Sequence, residues 1–159
     1  MAIAYIALGS NLKQPKLQAE RALQALSALP QCKMLQHSSL YLTAPVGYDN
    51  QPDFINAVAQ LETTLPATEL LQQLLDTELV FGRERPFANA PRVLDLDLLL
   101  YDEVEMQTKF LTLPHPRMHL RGFVMLPLAE IAPELMIPKC GRVVELLTQL
   151  DVSDIKKID

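Results

Sequence analysis

Apolar and polar residues repeat with two different periods along this chain, and the switches between them predict its elements. Residues 2–8 form a short apolar run that reads as a strand, followed by a turn at Gly9-Ser10-Asn11. The spacing becomes helical over 15–29, where Leu17, Ala22, Leu23, Leu26 and Leu29 make one stripe, with Pro15 in the first turn and Pro30 as the stop. Residues 32–42 read as extended, and 43–52 as a loop carrying two prolines and Gly47. Over 54–64 the alternation sends Phe54, Asn56, Val58 and Gln60 to one face and Ile55, Ala57, Ala59 and Leu61 to the other. A second helix spans 66–81, with Gly82 where a C′ glycine belongs.

The strand predicted over 93–101 has the clearest pattern. Leu94, Leu96, Leu98 and Leu100 fall on one face, Asp95 and Asp97 on the other. Asp102-Glu103 is a turn, and 111–116 a proline-bound extended segment. A third helix is expected within 117–131, holding His119, Arg121, Phe123, Met125 and Leu126, with a kink or break at Pro127, and a short last helix covers 142–150. The tail, DVSDIKKID, is polar and expected to fray.

The order β-α-β-β-α-β, then more helix, predicts an α+β fold. It fits a ferredoxin-like βαββαβ sandwich, an antiparallel sheet with helices on one face, extended by C-terminal helices. The adjacent strands at 32–42 and 54–64 argue against a doubly wound sheet. At 159 residues the simplest organisation is one domain, 1–159.

Composition narrows the functional classes. A net charge of −5 argues against a nucleic-acid binder. The N-terminus lacks the basic region of a signal peptide, and no apolar run approaches the roughly 20 residues that span a bilayer. Cys32 and Cys140 fit no zinc or redox spacing and read as free thiols. A soluble, cytoplasmic protein is expected. Monomer is the expected state, because no separate apolar stripe is left over.

The candidate chemistry lies in GRERPFANAPRVLDLDLLLY, residues 82–101. Strand geometry puts the Asp95 and Asp97 Cα atoms roughly 6.5–7 Å apart, a separation that lets them share hard cations. Carboxylates beside an apolar strand are costly to desolvate, and Mg²⁺ suits such a pair because it completes its shell with water and phosphate oxygens. The bland alternative is two solvated aspartates on an open sheet face. Arg83, Arg85 and Arg92 just upstream are either a surface charge run or phosphate ligands. Together the two groups describe a nucleotide site, although no Walker-type or dinucleotide-binding glycine motif occurs. A second basic group, His115, Arg117, His119 and Arg121, is either a solvated helix face or part of that site. Asn56 is either an ordinary exposed residue or a reader of ligand.

Four blocks of the chain carry a resemblance: AYIALGSNL, TAPVGYDNQPDFINAV, GRERPFANAPRVLDLDLLLY and LPHPRMHLRGFVMLPLAEIAPEL. In order, over residues 4–135, they are similar to the 6-hydroxymethyl-7,8-dihydropterin pyrophosphokinases (HPPK) of folate biosynthesis. The resemblance implies transfer of the β,γ-pyrophosphoryl group of ATP to the hydroxymethyl oxygen of the dihydropterin, leaving AMP. It implies two Mg²⁺ ions held by Asp95 and Asp97, with Arg83 and Arg92 also catalytic. Nucleotide contacts would come from Glu78, Arg83, Arg85, Arg92, Leu98, Thr112, His115 and Arg121. Pterin contacts would come from Thr43, Ala44, Pro45 and Val46 in the loop, with the ring between Phe54 and Phe123 and its edge read by Asn56.

This chain departs from the family pattern at three places. The Arg loop is one residue shorter at Pro86 to Ala90 and lacks the Trp of some members. Phe110 stands where a basic residue precedes Leu-Thr, and Pro116 where a Tyr often follows Pro-His. Two loops, about 48–51 and about 83–91, are expected to close over bound substrates. The rival readings are a ligand-sensing module that signals through a partner, and another Mg²⁺-dependent nucleotide transferase with a different acceptor.

Overall fold

The computed structural model describes residues 1–45, 50–82 and 93–158. In chain order the elements are β1 (Ala2–Ser10), α1 (Pro15–Ser27), β2 (Cys32–His37), β3 (Leu40–Thr43), β4 (Phe54–Thr63), α2 (Ala67–Val80) and β5 (Asp95–Tyr101). Then come β6 (Met106–Gln107), β7 (Thr112–Leu113), a 3₁₀ turn at Met118–Leu120, α3 (Gly122–Ile131), β8 (Met136–Ile137), β9 (Gly141–Arg142), α4 (Val143–Leu147) and β10 (Lys156–Ile158).

β1 is an interior strand of the main sheet and is apolar on both faces. It pairs antiparallel with β4 on one side and β5 on the other. β4 in turn pairs antiparallel with both β2 and β3. The stretch expected as one strand over 32–42 is two, broken at Ser38-Ser39. Ser38 Oγ accepts from the Val58 N–H at 2.9 Å and donates to the Ser39 carbonyl at 2.8 Å, so local side-chain bonds displace the regular ladder.

Helices cover both faces of the sheet, not one. Ala4, Ile6 and Leu8 pack under α1 and α2 with Ala22, Leu26, Leu70 and Leu74. Tyr5, Ala7 and Val58 face the opposite way, against Met118, Val124, Met125, Leu128 and Val143. The extra C-terminal helices therefore close a second core, which the alternation in β1 requires because both its faces are apolar.

A register shift opposite Tyr5 and Ile6 makes Leu99 the extra residue of β5. Beyond it the strand changes phase. Leu100 joins Tyr5 and Ala7 rather than the face of Leu96 and Leu98, correcting the simple period-2 expectation. Asp95 and Asp97 precede the bulge and keep their shared face.

The predicted third helix begins late. A break falls at Arg121, whose φ −110° and ψ 108° are extended, and α3 runs through Pro127 without ending there. An interior Pro costs about 3 kcal/mol. Burying Val124, Met125 and Leu128, at about 1.5–3 kcal/mol each, outweighs it.

The tail is also ordered where fraying was expected. β10 adds to the edge of β3, and Ile158 packs against the first core. Val152 and Ile155 lie against Gly122, whose missing Cβ would come within 3.0 Å of both.

Candidate active site

Strand register assembles the first half of the site. Tyr41, Asn56, Gly9 and Asp95 stand opposite one another in a row across β3, β4, β1 and β5. The next row is Val58, Ala7 and Asp97. Residues two apart share a face, so Phe54, Asn56, Gly9, Asp95 and Asp97 all point to the side that α3 covers. The extended break at Arg121 starts α3 over this surface and brings Arg121 and Phe123 above it.

A cavity results. Its sheet side is Gly9, Thr43, Ala44, Phe54 and Asn56, its helix side is Arg121 and Phe123, and Asp95 and Asp97 complete it. Asn56 is 6% exposed, which decides against an ordinary surface asparagine. Its Nδ2 donates to Thr43 Oγ1 at 2.8 Å. The Arg121 guanidinium lies 5.6 Å from the Phe123 ring centroid.

A second cavity opens on the other side of the same aspartates. α2 contributes Leu71, Leu75 and Glu78, and β5 contributes Leu98. Leu111, Thr112 and His115 form the opposite wall, with Phe110 and Pro116 beside them. The cavity lining combines aliphatic Leu71, Leu75, Leu98 and Leu111 with polar Asp95, Asp97 and His115. Glu78 is 2% exposed, and its Oε2 accepts from the Leu96 N–H at 2.7 Å, so it binds α2 to the outer edge of β5.

His115 is held by the bulge: its N–H donates to the Leu99 carbonyl at 2.9 Å. Its Nδ1 accepts from the Arg117 N–H at 3.2 Å. Burial, then the charges of Arg121 and Arg117, lower its pKa to about 4 against the pull of Asp95. The ring is therefore neutral near pH 7, with its proton on Nε2, and acts as a hydrogen-bond donor rather than a cation.

The four-residue basic group thus divides. Arg121 goes to the first cavity and His115 to the second, while Arg117 is exposed. His119 lines a neighbouring groove with His115, Lys139 and Cys140. Pro45 lies beside Ala44 but does not line the cavity. Arg83, Arg85, Arg92 and Val46 lie outside the described residues, as do Tyr48, Asp49 and the stretch 83–91 on which loop closure was expected.

Sequence reasoning missed Gly9, whose role depends on which strand lies opposite it. It also missed Asn11, which is buried and donates to Gln51 Oε1 at 2.7 Å and the Pro52 carbonyl at 3.0 Å. Those bonds anchor the end of the 43–52 loop to the end of β1. The Gly9-Ser10-Asn11 run was the available signal, although Gly9 and Ser10 extend β1 where a turn was expected.

With this geometry in hand, comparison with known proteins becomes specific. The model of the 7,8-dihydro-6-hydroxymethylpterin-pyrophosphokinase (HPPK) family matches residues 5–133. This chain belongs to the HPPK family. It is 41% identical to the 2-amino-4-hydroxy-6-hydroxymethyldihydropteridine pyrophosphokinase of Pseudomonas aeruginosa, over 97% of this chain and 95% of that one. It is 45% identical to the Haemophilus influenzae enzyme of the same name, over 94% and 93%. A solved HPPK-DHPS structure shares the fold with TM-score 0.77 at 13% identity, covering 93% of this chain and 43% of that longer one. Membership makes the chain a pyrophosphokinase of folate biosynthesis. Among the described residues, no helix is long and apolar enough to cross a membrane.

Proposed function

We propose that this chain transfers the β,γ-pyrophosphoryl group of ATP to the hydroxymethyl oxygen of 6-hydroxymethyl-7,8-dihydropterin across the line formed by Asp95 and Asp97. The supporting observation is that these two carboxylates border both cavities. One cavity suits a flat heterocycle: aromatic Phe54 and Phe123, and a buried amide at Asn56. The other suits a nucleotide, with aliphatic residues for a base and the aspartates for metal-bound phosphates. Donor and acceptor would meet where the cavities meet.

The donor set fits magnesium. Among the described residues no group of three or more His, Cys, Asp or Glu forms a metal cage. Two carboxylates from one strand suit an ion that takes the rest of its shell from water and phosphate. Asp95 and Asp97 would hold two Mg²⁺, which supply charge neutralisation on the phosphates. The chain's own contribution is positioning. Phe54 and Phe123 hold the pterin plane, Asn56 fixes its edge, and Thr43 and Ala44 flank it. Leu98, Thr112 and His115 line the nucleotide, with the His115 Nε2–H as a donor, while Glu78 supports that wall. Arg121, which lines the first cavity beside the aspartates, would meet the transferred phosphate. Arg83, Arg85 and Arg92 bring positive charge from the adjoining loop, and Pro45 and Val46 extend the pterin side. The strand order β3-β4-β1-β5, all antiparallel, supports the ferredoxin-like reading of 1–159 as one domain. A monomer acting on small molecules in the cytoplasm completes the proposal.

Product analysis tests the reaction. Incubation with Mg-ATP and the dihydropterin yields AMP and pterin diphosphate in equal amounts. ADP with a pterin monophosphate would refute pyrophosphoryl transfer, and AMP without any pterin requirement would favour another acceptor.

A further inference from the structure

Asn56 sits between two neighbours that fix its own side chain. On one side Thr43 Oγ1 accepts from Nδ2 at 2.8 Å, in a bond buried at both ends. On the other is Gly9, the residue directly opposite Asn56 in the β1–β4 ladder. A Cβ at Gly9 would lie 2.8 Å from Asn56 Oδ1 and 3.8 Å from the Phe54 ring. The first distance is shorter than nonbonded atoms tolerate. Gly9 has no positive φ, so its lack of a side chain answers to space and not to backbone conformation. The amide oxygen occupies the room a side chain would take.

We infer that Thr43 and Gly9 are positioning residues for Asn56, holding its amide so that one N–H and the carbonyl oxygen remain for the edge of a bound heterocycle. An asparagine amide has two N–H donors and one carbonyl oxygen. The bond to Thr43 uses one donor. The absence of a Gly9 side chain leaves Oδ1 its place. The side chain is thereby fixed before ligand arrives, which lowers the ordering cost of binding. The hydroxyl of Thr43 thereby has a task beyond flanking the ligand. The inference rests on the pterin reading of this cavity.

Three substitutions test it, each read as the KM and kcat for both substrates and the dissociation constant for the dihydropterin. Thr43→Val keeps the shape and removes the acceptor. A buried N–H left without its partner corresponds to about a 10-fold rise in pterin KM and dissociation constant. The kcat and the Mg-ATP KM stay within about twofold, because pyrophosphoryl-transfer positioning is untouched. Thr43→Ser restores the hydroxyl and returns pterin affinity to within about twofold of the wild type. Gly9→Ala displaces the amide and weakens pterin binding by about 10-fold or more, again with Mg-ATP binding preserved. Preserved Mg-ATP binding shows that each variant is folded. Wild-type pterin affinity in both Thr43→Val and Gly9→Ala would overturn the inference, and so would failure of Thr43→Ser to restore it. Absence of pterin binding by the wild type would instead refute the reading on which the inference rests.

Discussion

The two cavities beside Asp95 and Asp97 are built differently. The first is made by long, central strands. Asn56, Gly9 and Asp95 are register neighbours, Asn56 is locked to Thr43, and α3 closes the top. The second has α2 as one wall, but its other wall is the segment joined to the two-residue strands β6 and β7, where Phe110 is 79% exposed. On the proposed reading, pterin recognition lies in the sheet and nucleotide recognition in the peripheral segments around it. A flat ring must be discriminated by shape and edge, which rigid strands do well. Phosphates are held by charge, for which loop cations suffice.

Substitutions on the two sides should separate cleanly. Phe123→Ala removes one face of the proposed pterin site, and loss of a stacked aromatic at about 1–3 kcal/mol corresponds to about a 5- to 150-fold rise in pterin KM. The Mg-ATP KM should stay unchanged, and equal effects on both substrates would break the division. Glu78→Ala leaves the Leu96 N–H at the β5 edge without its acceptor. A cost of about 1–3 kcal/mol is expected in urea denaturation, with Mg-ATP binding more affected than pterin binding. Phe110→Ala should raise the Mg-ATP KM about 3-fold through lost apolar contact and leave the pterin KM alone. If Phe110→Ala changes neither, the exposed ring lies outside the nucleotide's reach.

His115 gives an effect that appears only as pH changes. Its folded pKa, about 4, lies below the ordinary histidine value of 6.5. Between those values the unfolded chain binds more protons than the folded one. Stability is thus fully present above pH 6.5 and declines as pH falls toward 4. His115→Gln should flatten that slope in the midpoint of urea unfolding measured from pH 7 to 4. An unchanged slope would mean that other groups carry it.

Much of this division was legible in the sequence, and the losses have physical causes. Asp95, Asp97, Phe54 and Asn56 sit in strands whose period-2 alternation fixes their faces, so their convergence followed once the strands were paired. Gly9 was invisible because its importance comes from the residue opposite, 47 positions away in a register that no local pattern encodes. Leu100 was assigned to the wrong face because the Leu99 bulge leaves no mark in an uninterrupted apolar run. The second core went unpredicted because α3 is apolar nearly all round, which hides the face it buries. The ordered tail was misread for the opposite reason: Lys156 and Lys157 look like solvent residues, yet an edge strand needs only its backbone and one apolar contact, supplied by Ile158.

The central claim is that Asp95 and Asp97 join two substrate cavities and serve the chemistry more than the binding of pterin. AMP release from Mg-ATP, with and without 6-hydroxymethyl-7,8-dihydropterin, on the wild type and Asp97→Ala, tests it most directly, with pterin binding followed by calorimetry. The account predicts pterin-dependent AMP from the wild type, a loss of about 10³-fold or more in the variant, and a pterin dissociation constant changed by less than about threefold. Turnover by Asp97→Ala at a wild-type rate, or pterin binding by the wild type with no AMP at all, would contradict it.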